Sequence, residues 1–190
     1  MIAATARASI FAARAAAVGA TVWQVGETEA PALVERLLVD AAASKVALDS
    51  GVRHAFPRLA AQLADAGLTL LPPDAEPPAL ADADAGVSLG AFAVSETGSI
   101  AVAPASLADR LVSMLPPLHV LLVPTSALLD SLDDAADQLR DWTTGSTPAR
   151  YVSLITGPSR TADIERVLTI GVQGPRVLHD VLFDTAAPAP

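Results

Sequence analysis

The chain has 190 residues, 52% of them apolar and only 4% aromatic, which suits one domain with an aliphatic core and leaves too little for two of ordinary size. A net charge of -9, with Lys45 the sole lysine among 12 basic residues, excludes a sequence-independent nucleic-acid surface, because neutralising phosphates takes clustered positive charge. Without a single cysteine the chain can form no disulfide, supply no thiol nucleophile and ligate no iron–sulfur cluster, so any redox centre must be borrowed.

Residues 1–20 read as an N-terminal surface helix, since Arg7 and Arg14 interrupt the apolar run a targeting segment would need. Thr21–Val25 follows as a short strand, and Val34, Leu37, Leu38 and Ala41 recur at helical spacing after it. Lys45–Asp49 is a second strand. Phe56, Leu59, Ala60 and Leu63 mark the next helix, which Gly67 closes, and Leu68–Leu71 is a third strand. This alternation predicts an α/β fold, a mostly parallel mixed sheet with helices on both faces.

Residues 72–86, with four prolines and four acids, predict an irregular surface connection and a hinge. Beyond it AFAVS (91–95) and SIAVA (99–103) form a strand pair about a short Gly98 turn, which makes at least one strand antiparallel. Ser106 and Asp109 predict a helix start, with Leu107, Leu111 and Met114 turned to the core. His119–Val123 is a further apolar strand. Leu128, Leu132, Ala135, Leu139 and Trp142 stripe the next helix, opposite a solvated face of Asp130, Asp133, Asp134 and Asp137. Prolines and charges break the apolar stretch from Leu111 to Leu129 below the ~18 residues a membrane span takes, so a soluble chain is expected.

Residues 151–165 carry the strongest functional pattern. Val152, Leu154 and Ile155 read as a buried strand, Gly157-Pro158 breaks it, and Ile164, Val167 and Leu168 predict a helix opening at Ser159 to Thr161. Thr156, Gly157, Pro158, Ser159, Arg160 and Thr161 would then lie at a strand's carboxyl end beside a helix N-terminus, a place for a carboxylate or phosphate. The pattern equally fits Ser159 or Thr161 as a plain helix cap with Arg160 in solvent, and Asp163 as a first-turn acid. The second candidate is Ser95-Glu96-Thr97-Gly98-Ser99, where Glu96 could act as general base, nucleophile or acceptor, or the segment could be an ordinary turn. His54, His119 and His179 fit no metal-ligand spacing, and His119 and His179 read as packed side chains. Val177–Phe183 is the last strand, and residues 186–190 read as a disordered tail after a single domain over 21–185.

SETGSI (95–100), ITGPSRTADIE (155–165), GVQGP (171–175) and RVLHDVLFD (176–184), in that order and spacing, resemble the LUD domain of the lactate utilisation protein C family. Ser95 stands where that family usually has Ala, Ser99 where it has Thr, and Asp180 where it has an apolar residue, which suggests that Asp180 points outward at a sheet edge. The resemblance implies a fold similar to the sugar-phosphate isomerase and coenzyme A transferase group. It also implies a cytoplasmic, cluster-free accessory subunit in the oxidation of L-lactate to pyruvate. Its partners would be the iron–sulfur lactate-utilisation proteins, and the 95–99 and 156–161 loops would bind an anionic small molecule, such as L-lactate or pyruvate, or a partner. Ser95-Glu96-Thr97-Gly98 is also similar to the coenzyme A transferase loop whose glutamate accepts the acyl group. That likeness leaves an alternative, an independent enzyme using Glu96 on a sugar phosphate or acyl thioester.

Overall fold

The computed structural model describes residues 4–144, 151–162, 168–171 and 174–185. Its frame is a six-stranded, wholly parallel sheet built from β1 (Thr21–Gly26), β2 (Lys45–Leu48), β3 (Thr69–Leu70), β4 (Ala85–Leu89), β7 (Leu118–Pro124) and β12 (Val177–Asp184), in the order β1-β12-β7-β4-β2-β3. The antiparallel pairing expected near residue 95 is present but belongs to a second sheet. There β5 (Phe92–Val94) and β6 (Ser99–Val102) form the hairpin, β8 (Leu128–Leu129) flanks β5, and β9 (Ser153–Ile155) pairs with β6.

Side-chain alternation along the parallel strands sorts residues onto two faces. On one face Val46, Leu48, Val87, Val120, Leu122, Val181 and Phe183 are buried by α2 (Ala30–Asp40), α3 (Ser50–Ala55) and α4 (Leu59–Asp65). The other face is covered in two parts. At one end Leu121, Val123, Leu178 and Leu182 pack with the second sheet and with α1 (Ala4–Ala17); at the other, Ala47 packs under α5 (Pro77–Ala81) and α6 (Leu107–Val112). The N-terminal helix is thus part of the core. Ala8, Phe11 and Ala15 are buried, and Arg7 pairs with Asp130 at 2.8 Å, which removes that aspartate from the solvated row. No helix among the described residues is long and apolar enough to cross a membrane.

Five further expectations change. The strand at Ser153–Ile155 is not buried, with Leu154 exposed. Residues 72–86 hold α5 and the start of β4, a central strand whose Gly86 is required because an added Cβ would lie 2.1 Å from the Val112 carbonyl oxygen. On α6 it is Val112 and Asp109 that are buried, while Leu107 and, just past the helix, Met114 are exposed, because Asp109 turns inward to bind Ser50. Arg160–Ala162 is a strand (β10), paired antiparallel with β11 (Leu168–Ile170), so the described residues after Ser159 enter a strand rather than a helix. Asp180 lies on β12, between β1 and β7, and is buried rather than set outward at an edge. Asp163 and the tail 186–190 lie outside the described residues.

Candidate functional site

The two loops singled out in the sequence are neighbours. Ile100 pairs with Ile155, so Ser99 and Thr156 meet just beyond, their hydroxyls 2.7 Å apart. Both loops rest on the end of α1, and both need glycine there. Gly98 (φ +66°) leaves 2.4 Å between a would-be Cβ and the Ala15 nitrogen, and Gly157 (φ +72°) leaves 2.5 Å to the Val18 carbonyl oxygen.

Their charged groups are engaged elsewhere. The Glu96 carboxylate is exposed and accepts the Leu132 N–H at 3.1 Å, capping the first turn of α7 (Leu132–Thr144). The Arg160 guanidinium donates to the Val18 carbonyl, and the helix dipole expected beside it is replaced by the β10–β11 ribbon. Ser95 and Ser99 are buried, with Ser95 N–H donating to the Leu129 carbonyl, and the buried Thr97 hydroxyl finds no partner among the described residues. Thr161 pairs with Thr169 in the ribbon.

Two cavities of about 290 Å³ each lie on the face of the main sheet that carries the second sheet and α6, and Ser113 lines both. The first sits at the carboxyl ends of β2 and β4. The chain leaves β2 for β3 on one side and returns to β4 on the other, so this is the topological switch point where α/β sheets open a crevice. Asp49, Ser50, Gly51, Leu89 and Asp109 line it. Each oxygen of both carboxylates accepts one hydrogen bond. Asp49 accepts the Val52 and Leu89 N–H groups at 2.7 and 3.0 Å, and Asp109 accepts the Ser50 N–H and hydroxyl at 2.7 and 2.8 Å. Burial raises Asp49 to about 6, against the pull of those two backbone bonds. The cluster is a clamp joining α3, β4 and α6. Asp109→Ala should therefore lower stability by about 3 kcal/mol, roughly 1.5 kcal/mol for each of the two hydrogen bonds to the carboxylate; an unchanged urea midpoint would contradict that role.

The second cavity is walled by the Thr156–Ser159 loop, Met114, Leu178 and His119. It takes in residues 156–159 of one predicted loop and leaves out Arg160, Thr161 and Glu96. His119 is fully buried, and burial alone pushes it down to about 4, so the imidazole is neutral. Its Nε2 is 3.0 Å from Ser88 Oγ, while Nδ1 has no hydrogen-bond partner among the described residues. His179 is half-buried and accepts the Trp23 indole N–H at Nδ1. The described residues contain no His, Asp or Glu group able to hold a metal ion.

Neither the Asp49–Asp109 clamp nor the Ser88–His119 pair follows from a motif. The available signals were Asp49-Ser50-Gly51 directly after an apolar strand, and a serine and a histidine at inward positions of central strands.

A family model described as LUD domain matches residues 8–183. Lactate utilization protein C of Shouchella clausii is 32% identical over 93 residues, covering 49% of this chain and 41% of the relative. Its counterpart in Bacillus subtilis is 33% identical over 94 residues, covering 49% and 39%. The match therefore spans about two fifths of those relatives' length. A crystal structure of a DUF162 family protein from Deinococcus radiodurans shares the fold, with a TM-score of 0.69 at 21% identity over 96% of this chain and 99% of that one.

Proposed function

The chain belongs to the LUD domain family, and on that premise we propose that it takes part in lactate utilisation as a cytoplasmic component without a redox centre of its own. Its work there is to bind a small hydroxy or keto acid, such as L-lactate or pyruvate. The observation that carries the reading is the second cavity. The Thr156–Ser159 loop, one of the segments that resemble the lactate utilisation proteins, walls a recess of about 290 Å³ together with a buried, neutral His119. That volume lies at the lower limit for ligand pockets, roughly 300–1,000 Å³, and suits a small metabolite better than a dinucleotide.

Hydroxyls and main-chain groups, with apolar Met114 and Leu178, would meet the acid there. Electron transfer belongs to partner iron–sulfur proteins in this reading, because cluster ligation takes thiolates and the chain has no cysteine. Glu96 lines neither cavity, so nothing in the geometry favours its use on a sugar phosphate or acyl thioester.

The test is genetic. In a strain with no other lactate dehydrogenase, deleting the gene should abolish growth on L-lactate and spare growth on pyruvate. Unimpaired growth on L-lactate would overturn the reading.

A further inference from the structure

The face of the main sheet between the two apolar packs carries a polar strip. Gly86 stands opposite His119 in the β4–β7 pairing, and its empty side-chain position is filled by the Val112 carbonyl. Ser88, two residues on, is therefore the diagonal neighbour of His119 and reaches its Nε2 at 3.0 Å. Ser88 lines the first cavity and His119 the second, so this hydrogen bond forms part of the partition between them. The other ring nitrogen, Nδ1, is buried and finds no partner among the described residues. Such an orphan is costly and calls for a reason.

A neutral imidazole has one donor and one acceptor nitrogen, and the partner of one sets the role of the other. A serine hydroxyl both donates and accepts. When Ser88 donates to Nε2, the proton sits on Nδ1, which then donates. When Ser88 accepts from Nε2–H, Nδ1 presents a lone pair.

We propose that His119 Nδ1 anchors the C2 oxygen of a small 2-hydroxy or 2-oxo acid in the cavity walled by Thr156–Ser159, with Ser88 adjusting the tautomer to the ligand. Nδ1 accepts from the hydroxyl of the 2-hydroxy acid and donates to the carbonyl of the 2-oxo acid. One site then holds both members of a redox pair without a change of charge. Leu154, Met114 and Leu178 give the ligand's methyl group an apolar wall, and Thr156 and Gly157 bring neutral polar groups for its carboxylate. The ligand class rests on the preceding proposal; the anchoring atom rests on the geometry of the strip.

Calorimetric titration of the full chain with L-lactate, pyruvate and propionate separates the two. Propionate keeps the carboxylate and lacks the C2 oxygen. L-Lactate and pyruvate should each bind about tenfold more tightly than propionate, the factor a single net hydrogen bond carries. His119→Phe should erase that preference and leave propionate affinity in place. Since the Phe variant could fail to fold, the imidazole ¹⁵N spectrum of the unaltered protein supplies a second readout: the His119 Nδ1 resonance should take the unprotonated, pyridine-type position with L-lactate and the protonated, pyrrole-type position with pyruvate, and stay put with propionate.

Equal affinity for all three acids, a preference that survives His119→Phe, or an unmoved Nδ1 resonance would overturn the anchor alone. Failure of the unaltered chain to bind any of the three would overturn the ligand class as well.

Discussion

Gly157→Ala is expected to lower stability by about 3 kcal/mol and to spoil the second cavity at the same time. The backbone at Gly157 has φ +72°, which costs a non-glycine residue roughly 1 kcal/mol. The larger part is contact. An alanine Cβ would lie 2.5 Å from the Val18 carbonyl oxygen and 3.2 Å from its carbon, and backbone atoms cannot turn aside as a side-chain tip can. Overpacking of this kind typically adds 1–3 kcal/mol. Relief would lift the 156–159 loop from the end of α1, where Arg160 also holds the Val18 carbonyl.

Gly67→Ala separates the two terms. Its φ is +88°, yet nothing lies within 4 Å of an added Cβ, so the loss should stay near 1 kcal/mol. Urea unfolding of both variants is the measurement, and equal losses would show that Val18 does not constrain the loop.

Asp180→Asn is expected to stabilise the protein at pH 8 by an amount on the order of 4 kcal/mol and to change it little at pH 4. The residue is 1% exposed on the face shared with Leu178 and Leu182, and its Oδ1 has no partner among the described residues. Burial raises its carboxyl from 3.8 to about 7. As pH rises between those values the unfolded chain gives up this proton while the folded chain keeps it. The unfolded state then binds fewer protons, so stability falls with pH, by about 1.4 kcal/mol per unit at most, and the loss is complete above pH 7. Asparagine keeps the shape and cannot ionise. Asp49, raised to about 6, imposes a slope of the same sign on both proteins, so the difference between them isolates Asp180. A gain equal at pH 4 and pH 8 would refute the assignment.

The parallel frame was legible because β2, β7 and β12 are apolar runs that must be buried, and α2 and α4 carry one-sided stripes. β4 was not, because Ala85-Gly86 resembles the tail of a proline-rich loop and only the position of α6 explains the glycine. Ile164, Val167 and Leu168 fit a helical period in a short window, yet Arg160–Ala162 meets Leu168–Ile170 as a ribbon. A pattern that brief suits either form, and partner strands decide. The adjacency of the 95–99 and 156–161 loops could not be read, since it depends on β6 pairing with β9 more than fifty residues away.

By its own order of apolar, small and turn residues, the chain determined an α/β protein with a parallel sheet, an antiparallel hairpin at Gly98, and no thiol for redox chemistry. Tertiary structure alone decided that Asp180 is central, that Glu96 caps α7, and that Ser88 meets His119 between two cavities. Local sequence sets the periodicity of burial and the allowed backbone angles. Which polar atoms end up facing one another depends on strand order and register, and those follow from minimising exposed apolar area over the whole chain.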